Sequence, residues 1–349
     1  NWVPPLLMAL RRQLDPARNP FFRHAEMRLY LAWRDGLPVG RIAATVNRRH
    51  NQFHHDAMGF WGYFETVNDP AVARALLDRA GDDLRGRGMT EMTGPFSPSI
   101  NGECGVLVEG FDEPPFIMMP YNPPYYDSLI AQAGLQKAKD LLAFVSYPGN
   151  VAADTNNIQR LERICAAIRK RHPTLVVRPV NMRNFEADVL AIGHLSNEAR
   201  QGNWGFVPMS DDEILAMAGD MKLIVDPEMV LIAEFDGKPV GCVVNLPDIN
   251  VILRKLNGRL LPLGWLRLLR GRRSITTFRG FDSAVLEEYR PYGPAALLYL
   301  ETIRSAQRRG YVRAELSWVA ENNAASIQTA ASAAAPQLYK RYRVYGRAL

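Results

Sequence analysis

One short motif occurs twice in this chain, and this repeat constrains the fold more than any other feature. Residues 35–40 read DGLPVG and residues 236–241 read DGKPVG, so the two copies agree at five of six positions. In both places the Asp-Gly pair lies between two apolar, β-prone runs, which is a strong signal for a β-hairpin. Internal similarity of this kind predicts that a whole folding unit has been duplicated.

The same order of elements follows each hairpin. A strand, a helix and a second strand are predicted at 59–67, 70–87 and 89–93, and again at 274–286, 293–310 and 311–319. A hairpin followed by a β-α-β crossover builds a mixed sheet with helices packed on it, so we predict an α/β fold. The 349 residues exceed one usual domain. We place the boundary near 148–154, which gives domains 1–150 and 151–349.

Composition predicts a soluble, cytoplasmic protein. Hydrophobic residues make up 47% and charged residues 22% of the chain, which is ordinary for a globular protein. The three cysteines are far apart and form no CxxC pair, as is typical of a reducing compartment. We find no signal peptide and no apolar run of the about 18–20 residues that cross a bilayer.

The net charge of +6 is unevenly distributed. Residues 251–273 contain seven Lys or Arg and no acid, and the first half has no equivalent insertion. Arg267 and Arg270 share one face of a predicted helix, whereas Trp265 and the neighbouring leucines point elsewhere. This pattern suits an interfacial segment, which we expect on an anionic membrane surface, or the mouth of an apolar pocket. A solvated basic loop remains the alternative, because Pro262 and Gly264 weaken the helix prediction.

A predicted phosphate-binding turn lies at the end of one strand and the start of a helix. Residues 288–297 read EYRPYGPAAL. Gly293 permits close approach of a ligand, and Pro294 suits the first helical turn because it has no N–H to leave unsatisfied. Free N–H groups at a helix N-terminus favour an anion such as a diphosphate.

This turn resembles the RxxGxA acyl-CoA loop of the GNAT superfamily, with Arg290, Gly293 and Ala295 in the motif positions. The helix, strand and Asn322 that follow, with a further helix expected after Asn322, also resemble GNAT proteins. The resemblance implies two tandem GNAT-like domains with acyl-CoA bound in the second. The cofactor-binding residues are then Val285, Leu286, Arg290, Pro291, Tyr292, Gly293, Pro294, Ala295 and Asn322. We expect the backbone N–H groups of Val285 and Leu286 to be free donors.

The first half has no such motif in the corresponding turn, 65–70, where Asp69 would repel a diphosphate. We therefore assign the donor to the second half and the acceptor side to the first half.

Four segments give the whole chain the look of a bacterial tandem-GNAT family that includes bacterial ceramide synthases. These are 1–6 (NWVPPL), 59–65 (GFWGYFE), 94–101 (GPFSPSIN) and 118–126 (MMPYNPPYY). The resemblance implies transfer of a long acyl chain from CoA to a lipid amine, a sphingoid base, at the inner membrane.

N-acyl transfer needs a group that takes a proton from the amine. Candidate bases are Glu65, Asp282 and Glu315, and each could equally be a structural carboxylate. Tyr339 lies on the closing strand, where GNAT enzymes often place a general acid, and packing is the alternative. His50 is a candidate proton carrier within an HxxxHH cluster; no second ligand set accompanies that cluster, so we expect no metal.

The segment 94–126 is too long for a casual connector and is rich in Pro, Gly and aromatic residues. We predict that it lines the acceptor site through Asn101, Tyr121, Asn122, Tyr125 and Tyr126. A loop that only covers the first sheet is the alternative.

Three other functions stay open at this point. They are acetylation of a small-molecule amine, tRNA-dependent aminoacyl transfer, and a non-catalytic module that binds a membrane or nucleic acid. The intact RxxGxA argues against the tRNA-dependent reaction. Trp265 alone among 254–273 could stack on bases, which argues against nucleic acid as a partner. The sequence leaves the oligomeric state open.

Overall fold

The computed structural model describes residues 1–147, 149, 155–262, 264–323 and 337–349. Its strands are β1 (Ala25–Arg34), β2 (Leu37–Asn47), β3 (Met58–Thr66), β4 (Glu91–Gly94), β5 (Phe96–Ser97), β6 (Glu103–Cys104), β7 (Val106–Glu109), β8 (Gln136–Ser146), β9 (Val176–Pro179), β10 (Val230–Phe235), β11 (Lys238–Pro247), β12 (Thr277–Val285), β13 (Arg313–Ala320) and β14 (Gln337–Ala348). Its α-helices are α1 (Leu7–Gln13), α2 (Arg48–His54), α3 (Pro70–Gly86), α4 (Tyr126–Gln132), α5 (Thr155–Arg171), α6 (Phe185–Ala199), α7 (Asp211–Met221), α8 (Asn250–Leu253), α9 (Gly264–Gly271) and α10 (Pro294–Arg309).

The chain divides into two compact units. The first unit contains Asn1–Leu142, Gly205–Val207 and Tyr339–Leu349, and the second contains Ala143–Trp204 and Pro208–Leu338. Most of the last strand, β14, therefore belongs to the first unit, where it pairs antiparallel with β4 and β7. The assignment of separate roles to domains 1–150 and 151–349 stays a prediction.

The first unit is a mixed sheet with α3 on one face. β1, β2 and β3 pair antiparallel in turn, and β3 runs parallel to β4. Asp35 (φ 50°) and Gly36 (φ 76°) form the hairpin turn, and two successive positive φ angles are what a type I′ turn requires. On α3 the buried side chains Leu76 and Leu77 pack in one core with Trp61 of β3.

The second unit repeats this arrangement. β9, β10, β11 and β12 pair antiparallel in turn, and β12 runs parallel to β13. The second hairpin turns at Asp236 (φ 51°) and Gly237 (φ 77°). α10 packs Leu297 and Leu298 in one core with Leu231 of β10. The repeated turn geometry and the mixed sheets confirm the predicted α/β fold of two similar units.

The correspondence extends beyond the hairpins. The Val67 N–H donates to the Val39 carbonyl and the Leu286 N–H donates to the Val240 carbonyl, each at 3.0 Å. Because Val39 and Val240 hold the same place in the repeated motif, Val67 and Leu286 are equivalent positions. None of the described helices is long and apolar enough to cross a bilayer.

Candidate functional site

The predicted phosphate loop is a short 3₁₀ helix followed by a glycine. The 3₁₀ helix covers Glu287–Tyr292, and Gly293 (φ 82°) is the N-cap residue of α10. Any side chain would be strained at this φ, and a Cβ on Gly293 would lie 2.5 Å from Cδ1 of Ile168 on α5. Glycine therefore lets the chain make this turn against α5.

The N-terminus of α10 has no side-chain cap, and its first turn has no acidic residue. Pro294 occupies the first position, where its missing N–H leaves nothing unsatisfied. The exposed residues of the loop are Glu287, Glu288, Arg290, Pro291, Tyr292 and Ala295; the two glutamates lie at the start of the 3₁₀ helix, before Arg290. The Gly293 N–H donates to the Arg290 carbonyl and the Ala296 N–H donates to the Gly293 carbonyl, each at 3.2 Å. The Ala295 N–H, at the positive end of the helix and next to the exposed Arg290 guanidinium, is the donor that could attract an anion. This arrangement fits the diphosphate of CoA.

In the first unit the equivalent helix end is capped by a side chain. Asp69 is the N-cap residue of α3, and its Oδ1 accepts from the N–H groups of Ala71 at 2.8 Å and Val72 at 3.4 Å. Its Oδ2 pairs with Arg34 Nη2 at 2.7 Å. The Asp69 carboxylate therefore occupies the donors that an anionic ligand would use, and its charge repels such a ligand.

The edge of β12 offers a further backbone donor. β12 pairs with β13 only as far as Gly280, although it continues to Val285. The prediction that the Leu286 N–H is free is wrong, because that group donates to the Val240 carbonyl. N–H groups alternate in direction along an antiparallel strand, so the Val285 N–H points away from β11 and towards the unpaired edge.

In the first unit the chain itself closes this edge. Thr66, the counterpart of Val285, donates its N–H to Tyr126 Oη at 3.1 Å. The Thr66 carbonyl accepts from Tyr125 Oη at 3.0 Å. Within the described part of the chain, no side chain takes the corresponding place at Val285.

The segment 94–126 also fills the space beside the middle of β3. Tyr63 donates its N–H to Ser97 Oγ at 3.1 Å. A Cβ on Gly62 would lie 1.7 Å from the carbonyl oxygen of Phe96, so this main chain rests directly on β3. Ligand-binding space next to β3 is therefore taken up by protein.

Three predicted residues, Glu65, Tyr125 and Tyr126, lie together at the end of β3. Glu65 Oε2 accepts from Tyr126 Oη at 2.7 Å, and Arg41 Nη2 lies 3.8 Å from Glu65 Oε1. Burial, and next the hydrogen bond to Glu65, raise the pKa of Tyr126, so its hydroxyl stays protonated and keeps donating. The Glu65 side chain is 49% exposed. Glu65 is thus a positioned carboxylate that a cationic ligand could reach.

The other two carboxylate candidates are engaged in ion pairs. Asp282 is 9% exposed; its Oδ2 accepts from Ser196 Oγ at 2.6 Å and its Oδ1 pairs with Arg200. Glu315 is fully buried, with Arg279 Nε 4.0 Å from its Oε1. A carboxylate that is buried and paired cannot receive a substrate amine without losing its partner. Both residues therefore have structural roles, and we do not retain either as a base.

His50 is a buried packing residue. Its ring lies 4.3 Å from that of His54 and 4.7 Å from that of Phe60, centroid to centroid. Burial lowers the pKa of His50 to about 4, outweighing the opposite effect of Asp56, so His50 is neutral and only weakly basic at pH 7. Among the described residues, no group of three or more His, Cys, Asp or Glu could hold a metal ion.

Three predicted acceptor residues hold the segment 94–126 in place instead of facing a ligand. Asn122 Oδ1 accepts from the Leu107 N–H at 2.7 Å, and its Nδ2 donates to the Leu107 carbonyl at 3.2 Å. Tyr121 Oη donates to the Phe111 carbonyl at 2.9 Å, and Asn101 Nδ2 donates to a main-chain carbonyl at 3.2 Å. For these residues the alternative, a loop that covers the first sheet, describes the structure better.

Two predicted residues lie near the end of the chain. Tyr339 is half-buried on β14, with Lys340 Nζ 5.2 Å from its ring centroid. It belongs to the first unit, not to the second half in which the sequence placed its strand. Asn322 is exposed in a turn after β13. The helix expected after Asn322 falls on 324–336, outside the described residues.

An aromatic group beside the phosphate loop was missed by sequence reasoning. The Tyr292 ring lies 5.0 Å from His172 and 5.2 Å from Phe235, and Tyr289 lies 5.7 Å from Phe235. Tyr292 remains 38% exposed. In the sequence, only the pair of tyrosines within the loop indicates this aromatic group, because His172 and Phe235 come from elements that are distant along the chain.

Comparisons with known proteins agree with these observations. No protein-family model matches the chain. The bacterial ceramide synthase of Caulobacter vibrioides (strain NA1000 / CB15N) is 35% identical over 361 residues, which cover 100% of this chain and 91% of that protein. Protein YghO of Escherichia coli (strain K12) is 34% identical over 351 residues, which cover 99% of this chain and 88% of that protein.

Solved structures share the fold. A tandem GNAT protein from the clavulanic acid biosynthesis pathway has a TM-score of 0.57 at 13% identity, covering 100% of this chain and 89% of that one. A GCN5-related glucosamine N-acetyltransferase region of a fungal multi-domain protein has a TM-score of 0.53 at 13% identity, covering 97% of this chain and 34% of that one. These similarities confirm the predicted tandem GNAT fold.

Proposed function

The chain belongs to the family of the bacterial ceramide synthase, and on that premise we propose that it transfers a long acyl chain from acyl-CoA to a lipid amine. We propose a sphingoid base as the acceptor. The observation that carries the proposal is the contrast between the two units. The second unit has an uncapped N-terminus on α10 and an unpaired edge on β12, and the first unit has filled both equivalent places with its own side chains.

We propose that acyl-CoA binds in the second unit. The Ala295 N–H and the positive end of α10 hold the diphosphate, and the guanidinium of Arg290 balances its charge. The Val285 N–H donates to the donor molecule along the unpaired edge of β12. Acyl-CoA supplies a thioester that is activated towards an amine. Donors fixed before the reaction stabilise the charge that develops on the thioester oxygen without reorganising.

Glu65 is our candidate for the group that recognises the amine. Its carboxylate is exposed and is held by the Tyr126 hydroxyl at 2.7 Å. Such a carboxylate binds an ammonium group by charge and can take one of its protons, which leaves the amine nucleophilic. Arg41 Nη2, 3.8 Å from Glu65 Oε1, offers this carboxylate a second partner.

A long acyl chain is favoured over acetyl in this proposal. Each methylene that is buried on binding contributes about 0.8 kcal/mol, so a fatty acyl chain outweighs modest differences in head-group contacts. Because donor chain and acceptor are then both lipid-like, we also propose that the protein works as a peripheral protein at an anionic membrane surface.

Two measurements test the proposal. Calorimetry with CoA should give one site per chain, since only the second unit has the open arrangement. Mass spectrometry of reactions with a sphingoid base should detect an amide product, with palmitoyl-CoA turned over faster than acetyl-CoA. Equal or better turnover with acetyl-CoA would favour a small-molecule acetyltransferase. Absence of CoA binding, together with activity on aminoacyl-tRNA, would favour aminoacyl transfer.

A further inference from the structure

The basic segment 251–273 forms a small helical layer on the second unit. Ile252 of α8 and the following Leu256 are buried. α9 rests on these residues through its two terminal glycines. A Cβ on Gly271 would lie 2.9 Å from Ile252 Cδ1, and a Cβ on Gly264 would lie 2.6 Å from the Arg259 carbonyl oxygen. Because the glycine side of α9 is in close contact with the rest of the segment, the opposite side of α9 points outward.

The outward side of α9 is apolar. Trp265 is 44% exposed and Leu269 is 42% exposed, and positions four apart lie one above the other on a helix. Leu261, just before α9, is 66% exposed. Arg267 and Arg270 are also exposed and lie roughly 100–160° around the helix from Trp265 and Leu269. α9 therefore presents a tryptophan and a leucine to solvent on one side and two cations on another.

The segment that contains α9 is cationic. Residues 251–273 contain seven Lys or Arg and no acid. Over the described part of the chain, none of these seven side chains forms an ion pair. Arg272 Nη1 instead donates to the Leu223 carbonyl at 3.0 Å, and Leu223 itself is 67% exposed. This contact places a further exposed leucine next to the residues that follow α9.

We propose that this surface docks the second unit on an anionic lipid bilayer. We call it the α9 surface: Leu223, Leu261, Trp265 and Leu269, with the seven cations of 251–273. Exposed apolar side chains next to unpaired cations match the boundary between acyl chains and anionic headgroups. A nucleic acid would use the cations but not the leucines. The inference rests on the proposed function, because a lipid amine is met at such a surface.

The experiment is co-sedimentation of the full chain with phosphatidylcholine vesicles, with or without 30 mol% phosphatidylglycerol, where about 30% suffices to give a strongly negative surface. Binding should require the anionic lipid and fall with added salt. Arg267→Gln/Arg270→Gln should weaken vesicle binding roughly 25-fold, about fivefold per cation near the surface. Trp265→Ser/Leu269→Ser should weaken binding at high salt as well as at low salt.

The matched control is Lys170→Gln/Arg171→Gln, which removes the same charge from exposed residues at the end of α5 and should leave vesicle binding unchanged. Calorimetry with CoA separates this inference from the proposed function, since both α9 variants should bind CoA like the wild type. The inference is overturned if the wild type binds CoA but not anionic vesicles, or if the control weakens binding as much as the α9 variants. Competition of a single-stranded oligonucleotide for the same surface at equal salt would also overturn it.

Discussion

Replacing Gly293 by alanine perturbs the phosphate loop at its most constrained point. The positive φ of 82° costs a residue with a Cβ about 1–2 kcal/mol. The new Cβ would also lie 2.5 Å from Ile168 Cδ1, so Ile168 or the loop must move. We expect a loss of about 2 kcal/mol in the free energy of unfolding, which a domain with about 5–15 kcal/mol tolerates.

The effect on ligand binding should be larger than this modest loss of stability indicates. A shifted loop loses at least one hydrogen bond to a charged phosphate oxygen, worth about 1.5–3 kcal/mol. This corresponds to CoA binding that is about 10- to 100-fold weaker. Gly293→Asp, which adds a negative charge, should abolish binding. Calorimetry with CoA gives the affinity, and urea unfolding gives the stability.

α10 supplies its own control, because it also ends in a glycine of positive φ. Gly310 has φ 74°, and a Cβ added there would have no neighbouring atom within 4 Å. Gly310→Ala should cost about 1 kcal/mol of stability and leave CoA affinity unchanged. Adding Ile168→Ala to Gly293→Ala removes the collision and should restore part of the affinity. The reasoning fails if Gly293→Asp binds CoA normally, or if Gly310→Ala weakens CoA binding as much as Gly293→Ala.

Three further predictions follow from the geometry of the two units. The His50 pKa is lowered from 6.5 to about 4, so the contribution of His50 to stability is full above pH 6.5 and falls as the pH drops towards 4, by at most about 3 kcal/mol. In urea unfolding, stability should therefore depend less on pH in His50→Gln than in the wild type. The exposed His55→Asn variant should keep the wild-type pH dependence. Gly62→Ala should cost about 3 kcal/mol or more. Gly280→Ala, whose Cβ meets Leu316 Cδ2 at 3.1 Å and two further atoms at 3.6 and 3.7 Å, should cost less than about 1 kcal/mol; similar losses would contradict the direct contact of Phe96 with β3. Glu65→Gln should lower kcat by about 10²- to 10⁴-fold with CoA affinity unchanged, and wild-type kcat would remove Glu65 from the reaction.

Features encoded by short stretches of sequence could be predicted. The two hairpins depend on Asp-Gly pairs that adopt positive φ at both residues, and this preference is local. The phosphate loop is equally local, because Gly293 and Pro294 set the turn and the first helical residue by themselves. These features led to the correct fold and to the loop geometry expected of an anion site.

Features that depend on contacts between distant residues could not be predicted. The Leu286 N–H is bonded because of the register between β11 and β12, which the sequence of β12 does not contain. The Asn122 side chain accepts a hydrogen bond from the backbone of Leu107, and Asp282 forms an ion pair with Arg200 on another element. A polar residue in a cleft-forming segment looks the same in sequence whether its partner is a ligand or the protein. Only the identity of the partner separates the two cases.

That same question, which buried polar groups have partners, explains how two copies of one unit can have different functions. In the first unit the N–H of Thr66 is satisfied by Tyr126, and the start of α3 is satisfied by Asp69. Buried or half-buried donors need such partners, and here the chain provides them without a ligand. In the second unit Val285 and the start of α10 have no such side chains within the described residues. In the function proposed above, an anionic ligand with a carbonyl group replaces the water bound to these open N–H groups. The duplication therefore yields one unit whose donors are satisfied by its own side chains and one whose open donors, in the function proposed above, are satisfied by acyl-CoA.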